Sequence, residues 1–130
     1  MTRIVRDQAL RRARALIAQQ TGWTRGVLSR AVGGRPVMWH AEDACCWCAV
    51  GALHRAAYDL VGDFGGSFLV ADEIVGGALA ASFPPNLAWI NDTRGHAAVL
   101  ALFDCALRAP QRKGAAVIRS RKAERSPCKK

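Results

Sequence analysis

The sequence predicts an all-α fold, a compact small helical domain of about four helices with a short extended segment near residues 35–40. Three observations lead there. Apolar residues recur three and four positions apart in four separate stretches, the spacing that lines one face of a helix. Glycine and proline gather between those stretches, and no stretch carries a strand pattern. With 130 residues, half of them apolar, the chain is long enough to close one hydrophobic core.

The first helix is predicted over residues 2–20. Val5, Ala9, Ala13, Leu16 and Ile17 share one side, Arg3, Asp7, Arg11 and Arg14 the other, and Gly22 is the natural stop. Residues 22–41 break the period with Gly22, Gly26, Gly33, Gly34 and Pro36. They form a connection or a small hairpin, with Val37-Met38-Trp39 as the extended piece. The second helix is predicted over 42–62, with Glu42 and Asp43 placed against its N-terminal dipole. Cys45, Ala49, Ala52, Leu53, Ala56 and Leu60 line one face, and Trp47, Val50, His54, Tyr58 and Val61 the other. A helix apolar on two faces belongs at the centre, and Gly51 with the alanines lets neighbours come close.

Ser67 is the expected N-cap of a third helix containing Leu69, Ile74, Val75, Ala78 and Leu79, which ends before Pro84-Pro85. Asn86 to Ile90 is too short for its period to settle its type. Asp92 or Thr93 is expected to cap a fourth helix whose stripe is His96, Leu100, Phe103 and Leu107, and Pro110 ends it. The predicted organisation is a helical domain over 1–109 and a basic, disordered tail over 110–130.

No apolar run reaches the roughly 18 residues that span a bilayer, and the charged start carries no signal-peptide block, so a cytoplasmic protein without membrane contact is expected. Five cysteines at 45, 46, 48, 105 and 128 are an odd number and crowded, unlike a secreted disulfide framework. The net charge of +9 is unevenly spread: residues 1–30 carry +6, residues 31–108 carry −4 and residues 109–130 carry +7. A mildly acidic body with basic ends points to an anionic partner engaged by the ends.

Two constellations carry possible chemistry. Cys45-Cys46-Trp47-Cys48 contains a C-x-x-C, followed by His54. A zinc site needs four converging ligands, and on the predicted helix His54 points away from Cys45, so neither a metal nor a cofactor is expected. Cys48 (or Cys46), His96 and Asn91 or Asp92 supply the residue types of Cys-His-Asn hydrolysis. Against that, His96 lies on an apolar stripe and reads as a packed, hydrogen-bonded core histidine.

The basic ends are the stronger signal, because lysine and arginine neutralise phosphates and release counterions. The candidate nucleic-acid contacts are Arg3, Arg11 and Arg14 on the first helix and Arg119, Arg121, Lys122, Arg125, Lys129 and Lys130 in the tail. No base-reading element accompanies them.

Trp47-Cys48-Ala49-Val50-Gly51-Ala52-Leu53, Asn91-Asp92, and the helix from His96 through Val99-Leu100 and Asp104 to Ala106 resemble an uncharacterised family. Its members are small phage, prophage and actinobacterial proteins with a W-C-x-x-G-A-L block, an N-D turn and a closing V-L-x-x-x-D-x-A helix. Gly22-Trp23-Thr24-Arg25-Gly26 is similar to its G-W-x-x-G element, and the likeness runs over roughly residues 5–107. It implies a compact helical fold and a mobile-element setting, and no reaction. The expectation is a non-enzymatic protein contacting nucleic acid or a nucleoprotein complex, of the phage accessory or anti-defence kind. The alternatives are a protein-only inhibitor using the acidic middle and exposed aromatics, and a cysteine hydrolase using Cys48 and His96.

Overall fold

The computed structural model describes residues 3–76, 84 and 86–108. The elements run α1 (Arg3–Leu16), a 3-10 turn (Gln20–Gly22), β1 (Ser29–Ala31), β2 (Ala44–Trp47), α2 (Ala49–Val61), α3 (Phe64–Gly76), α4 (Leu87–Arg94) and α5 (His96–Arg108). The domain is predominantly helical but not all-α, because β1 and β2 pair as a small antiparallel sheet. The predicted tail lies outside the described residues.

Helix α1 buries Ala9, Leu10 and Ala13 along one side, with Ile17 just beyond its end. It stops at Leu16 because the chain folds back on itself. A Cβ on Gly22 would stand 2.4 Å from the Leu16 carbonyl oxygen, so only glycine lets the 3-10 turn lie against the helix end.

The sheet corrects the helix expected from 42, since β2 occupies that stretch, while the extended segment expected near 35–40 is present as a single bridge from Pro36 to Arg30. Ser29 faces Trp47, Arg30 faces Cys46 and Ala31 faces Ala44, with an irregularity between Arg30 and Ala31. Gly33 and Gly34 turn the chain at φ of 93° and 95°. The buried Ser29 hydroxyl donates to the Val37 carbonyl at 2.6 Å, and Val37 N–H returns a bond to Ser29. The predicted extended piece therefore folds against β1 without becoming a strand of its own.

Helix α2 begins only at Ala49, leaving Glu42, Asp43 and Cys45-Cys46-Trp47 outside it. Cys48 takes the N-cap position with extended backbone, and its Sγ accepts from Gly51 N–H at 3.3 Å. From there the predicted pattern holds: Ala49, Ala52, Leu53 and Ala56 are fully buried, and α2 packs against α1, α3 and α4 as the central helix.

Helix α3 begins at Phe64, earlier than predicted. Asp63 serves its first turn, its Oδ1 accepting from Gly66 N–H at 2.6 Å. Ser67 is not a cap but a buried residue of that turn, its hydroxyl donating to the Phe64 carbonyl at 2.8 Å. Ser67, Ala71 and Ile74 form the face turned inward. The unassigned stretch from Asn86 proves helical, so Asp92 and Thr93 lie in the last turn of α4 rather than capping the next helix. Gly95, at φ 94° and ψ 178°, makes the corner into α5. On α5 the fully buried line is Val99, Phe103 and Ala106; Leu100 is only partly buried, contrary to its predicted core position.

Candidate nucleic-acid interface

Among the candidate phosphate-binding residues, Arg3 opens α1, and Arg11 is exposed on its outer side. Arg12, which the sequence reading passed over, is exposed beside it. Neither Arg11 nor Arg12 makes an ion pair among the described residues. Arg14 is different: it forms a two-pronged contact with Asp104 of α5, at 2.6 and 3.3 Å. Its charge helps hold α1 to α5 and is partly neutralised. Arg6 is fully buried and crosses to the same helix, donating to the Ala106 carbonyl at 2.6 Å while contacting Asp7 at 2.8 Å. Arg119, Arg121, Lys122, Arg125, Lys129 and Lys130 lie outside the described residues.

The sequence motifs meet at one buried side chain, Asn91. Its Oδ1 accepts from the Trp23 indole at 2.8 Å and from Ala49 N–H at 2.9 Å. Its Nδ2 donates to the Thr24 carbonyl and to Asp92 Oδ1, both at 3.1 Å. That uses both amide protons and both oxygen lone pairs. Asp92 Oδ1 also accepts from Gly26 N–H at 3.0 Å. The G-W-x-x-G loop, the start of α2 and the N-D pair are thus one hydrogen-bonded knot. His96 closes its side: Nε2 lies 2.6 Å from the Ile17 carbonyl, and the ring lies 5.3 Å from that of Trp23.

The three neighbouring thiols differ: Cys45 is exposed, Cys46 half-buried and Cys48 caps α2. Cys48 is buried, and desolvation pushes its thiol above the ordinary value despite stabilising backbone N–H groups. A nucleophile needs the opposite shift. Cys46 is also raised, first by burial and then by the neighbouring Cys45. Among the described residues, no group of three or more histidine, cysteine or acidic side chains could hold a metal ion.

A second cluster surrounds the buried Trp39. Phe64 stacks flat on it at 5.3 Å, His54 lies at 5.2 Å and Tyr58 meets it edge-on at 5.8 Å. Arg55 donates to the Trp39 and Ala41 carbonyls, and Trp47 donates its indole proton to the Trp39 carbonyl at 3.0 Å. His54 Nδ1 is buried without a hydrogen-bond partner. Desolvation lowers its pKa, opposed in part by Asp72. Phe64 and Phe68, which meets His54 edge-on at 4.7 Å, are partly exposed at the rim of this cluster, and Leu69 is exposed beside them on α3.

These features define a small, predominantly helical domain organised around a buried asparagine. The chain belongs to a family of unknown function, DUF6197, whose profile matches residues 1–109. No curated protein and no solved structure matches it. Among the described residues, no helix is long and apolar enough to cross a membrane.

Proposed function

We propose that the chain is a non-enzymatic protein that binds nucleic acid or a nucleoprotein complex, acting in the cytoplasm as an accessory or anti-defence factor of mobile genetic elements. The observation that carries this reading is the adjacent, exposed pair Arg11 and Arg12, without a carboxylate partner among the described residues, in a chain whose residues 109–130 add +7. Such groups bind phosphates through counterion release, independently of sequence. The mobile-element setting rests on the resemblance to phage and prophage proteins. The test is binding of the full-length protein to a labelled random duplex and a labelled single strand at low salt. Binding to at least one supports the reading, and binding to neither removes it.

A second reading is a protein-only inhibitor. It is favoured by the exposed Phe64, Phe68 and Leu69 of α3, bordered by the acidic Asp63 and Asp72. Its complex would lose little affinity with salt, unlike a phosphate-bound one. Hydrolysis through Cys48 and His96 has least support, since one thiol caps a helix and the imidazole is engaged by Ile17.

A further inference from the structure

A second place on the domain combines an exposed ring with unpaired guanidinium groups. Trp89 of α4 keeps 53% of its surface in solvent, the most exposed aromatic side chain described. The Arg94 guanidinium lies 5.6 Å from the centre of its ring. The 23–26 loop is brought to the same helix by the bond from Gly26 N–H to Asp92 Oδ1 at 3.0 Å. That bond places Arg25 one residue, and Arg94 two residues, from a shared point. Arg30 fixes the loop, donating to the Arg25 carbonyl at 3.0 Å and the Thr24 hydroxyl at 2.8 Å. The Arg25 guanidinium in turn lies 5.1 Å from the Trp23 ring centre. Neither Arg25 nor Arg94 makes an ion pair among the described residues. The acid between them, Asp92, already accepts from Gly26 and Asn91.

The two tryptophans have different duties. Trp23 is committed to Asn91 through its indole proton and to His96 through its ring. Trp89 has no such commitment: Thr93 bonds only its backbone carbonyl, at 2.7 Å. A large aromatic surface in water gains by covering either an apolar partner or a flat, π-bearing one. The Arg94 guanidinium beside the ring, with Arg25 on the loop tied to the same helix at Asp92, selects the second, because these groups supply the charge that a sugar-phosphate backbone needs. In a duplex the base faces are already stacked on each other; in a single strand they are available.

We infer that Trp89, with Arg25 and Arg94, is a stacking platform for an unpaired base of single-stranded nucleic acid. The inference rests on the nucleic-acid reading above and adds the strand form and the residue that recognises it.

The test uses full-length protein, a labelled oligothymidylate, which has no self-structure, and a labelled duplex. Trp89→Ala is expected to weaken oligothymidylate binding on the order of tenfold while leaving duplex binding unchanged. Trp89→Phe retains a ring and should recover part of the loss. Intrinsic fluorescence should be quenched when wild-type protein binds the oligonucleotide, and less so in Trp89→Phe. Unchanged thermal midpoints in both variants establish that the fold is intact. Oligothymidylate affinity that does not change in Trp89→Ala overturns the platform while duplex binding keeps the broader reading alive. Equal loss on duplex and single strand also overturns it. Wild-type protein that binds neither overturns both.

Discussion

The Trp23 indole N–H and the Ala49 backbone N–H converge on one oxygen, Asn91 Oδ1, at 2.8 and 2.9 Å. One side chain thereby joins the loop before β1 to the first residue of the central helix. Asn91→Ala leaves a buried helix N–H, an indole and the Thr24 carbonyl without partners. The Ala49 bond is buried and the other two are partly so, and at about 1–3 kcal/mol for a buried orphan the expected loss is about 1–3 kcal/mol. Trp23→Phe removes one donor only and should cost less. Asn91→Asp keeps the acceptor but turns an oxygen toward Thr24 and Asp92, so this variant should gain stability relative to wild type on mild acidification. Urea unfolding at two pH values checks all three. Equal stability of Asn91→Ala and wild type would remove the knot from the account.

Two glycines of the helices should respond in opposite directions. A Cβ on Gly51 would lie 2.1 Å from the Leu28 carbonyl oxygen, where backbone meets backbone. Gly51→Ala is expected to cost about 3 kcal/mol or more, the upper end of overpacking. At Gly65 the nearest atom would be 3.7 Å away, an ordinary contact. Gly65→Ala should stabilise by about 0.4–1 kcal/mol through the unfolded chain. Thermal midpoints of the pair decide the matter.

The core predictions follow burial rather than the sequence stripe. Leu53→Ala and Phe103→Ala, both fully buried, should cost about 2–5 kcal/mol. Leu100→Ala should cost roughly half as much, being partly buried. Denaturant midpoints test the order, and Leu100 proving the most costly would contradict the orientation of α5.

What was legible in the sequence was mostly helix periodicity. The alanine and leucine spacing of residues 49–60 located α2's buried face, because packing and pattern agree there. The start of α2 was not legible. Cys45, Cys46 and Trp47 continue the apolar helical spacing by coincidence, whereas their positions are decided by pairing with Ser29 and Arg30, a contact distant in the chain. Ser67 looked like a cap by type, yet Asp63 lies at the helix start. The knot was half-visible: Asn91-Asp92 and Trp23 stood out as motifs, but their meeting depends on tertiary contacts. Arg14 illustrates the limit for the interface, since nothing local signals its pairing with Asp104. Trp89 lay in a stretch too short for its period to assign.

Acid should destabilise the domain through His54. Its pKa is lowered from 6.5 by burial, so the unfolded chain binds a proton that the folded chain resists. The stabilisation is present above about 6.5 and falls as the pH drops from there toward the lowered folded value. The thermal midpoint should therefore decline on acidification through pH 6, before carboxylates titrate. In His54→Phe that part of the decline should vanish. An identical pH profile in the variant would assign the effect elsewhere.

The salt dependence of binding tests the central claim most directly. The affinity of full-length protein for a labelled duplex should fall linearly on a log–log plot against salt concentration, each phosphate contact contributing about 0.9 to the slope. The double variant Arg11→Gln and Arg12→Gln should flatten that slope by up to about 2, leaving the thermal midpoint in place. Replacing Arg119, Arg121, Lys122 and Arg125 by glutamine should flatten it by up to about 4. Sequence preference should stay weak throughout. Absence of duplex and single-strand binding at low salt, or a slope unchanged in both variants, would contradict the account.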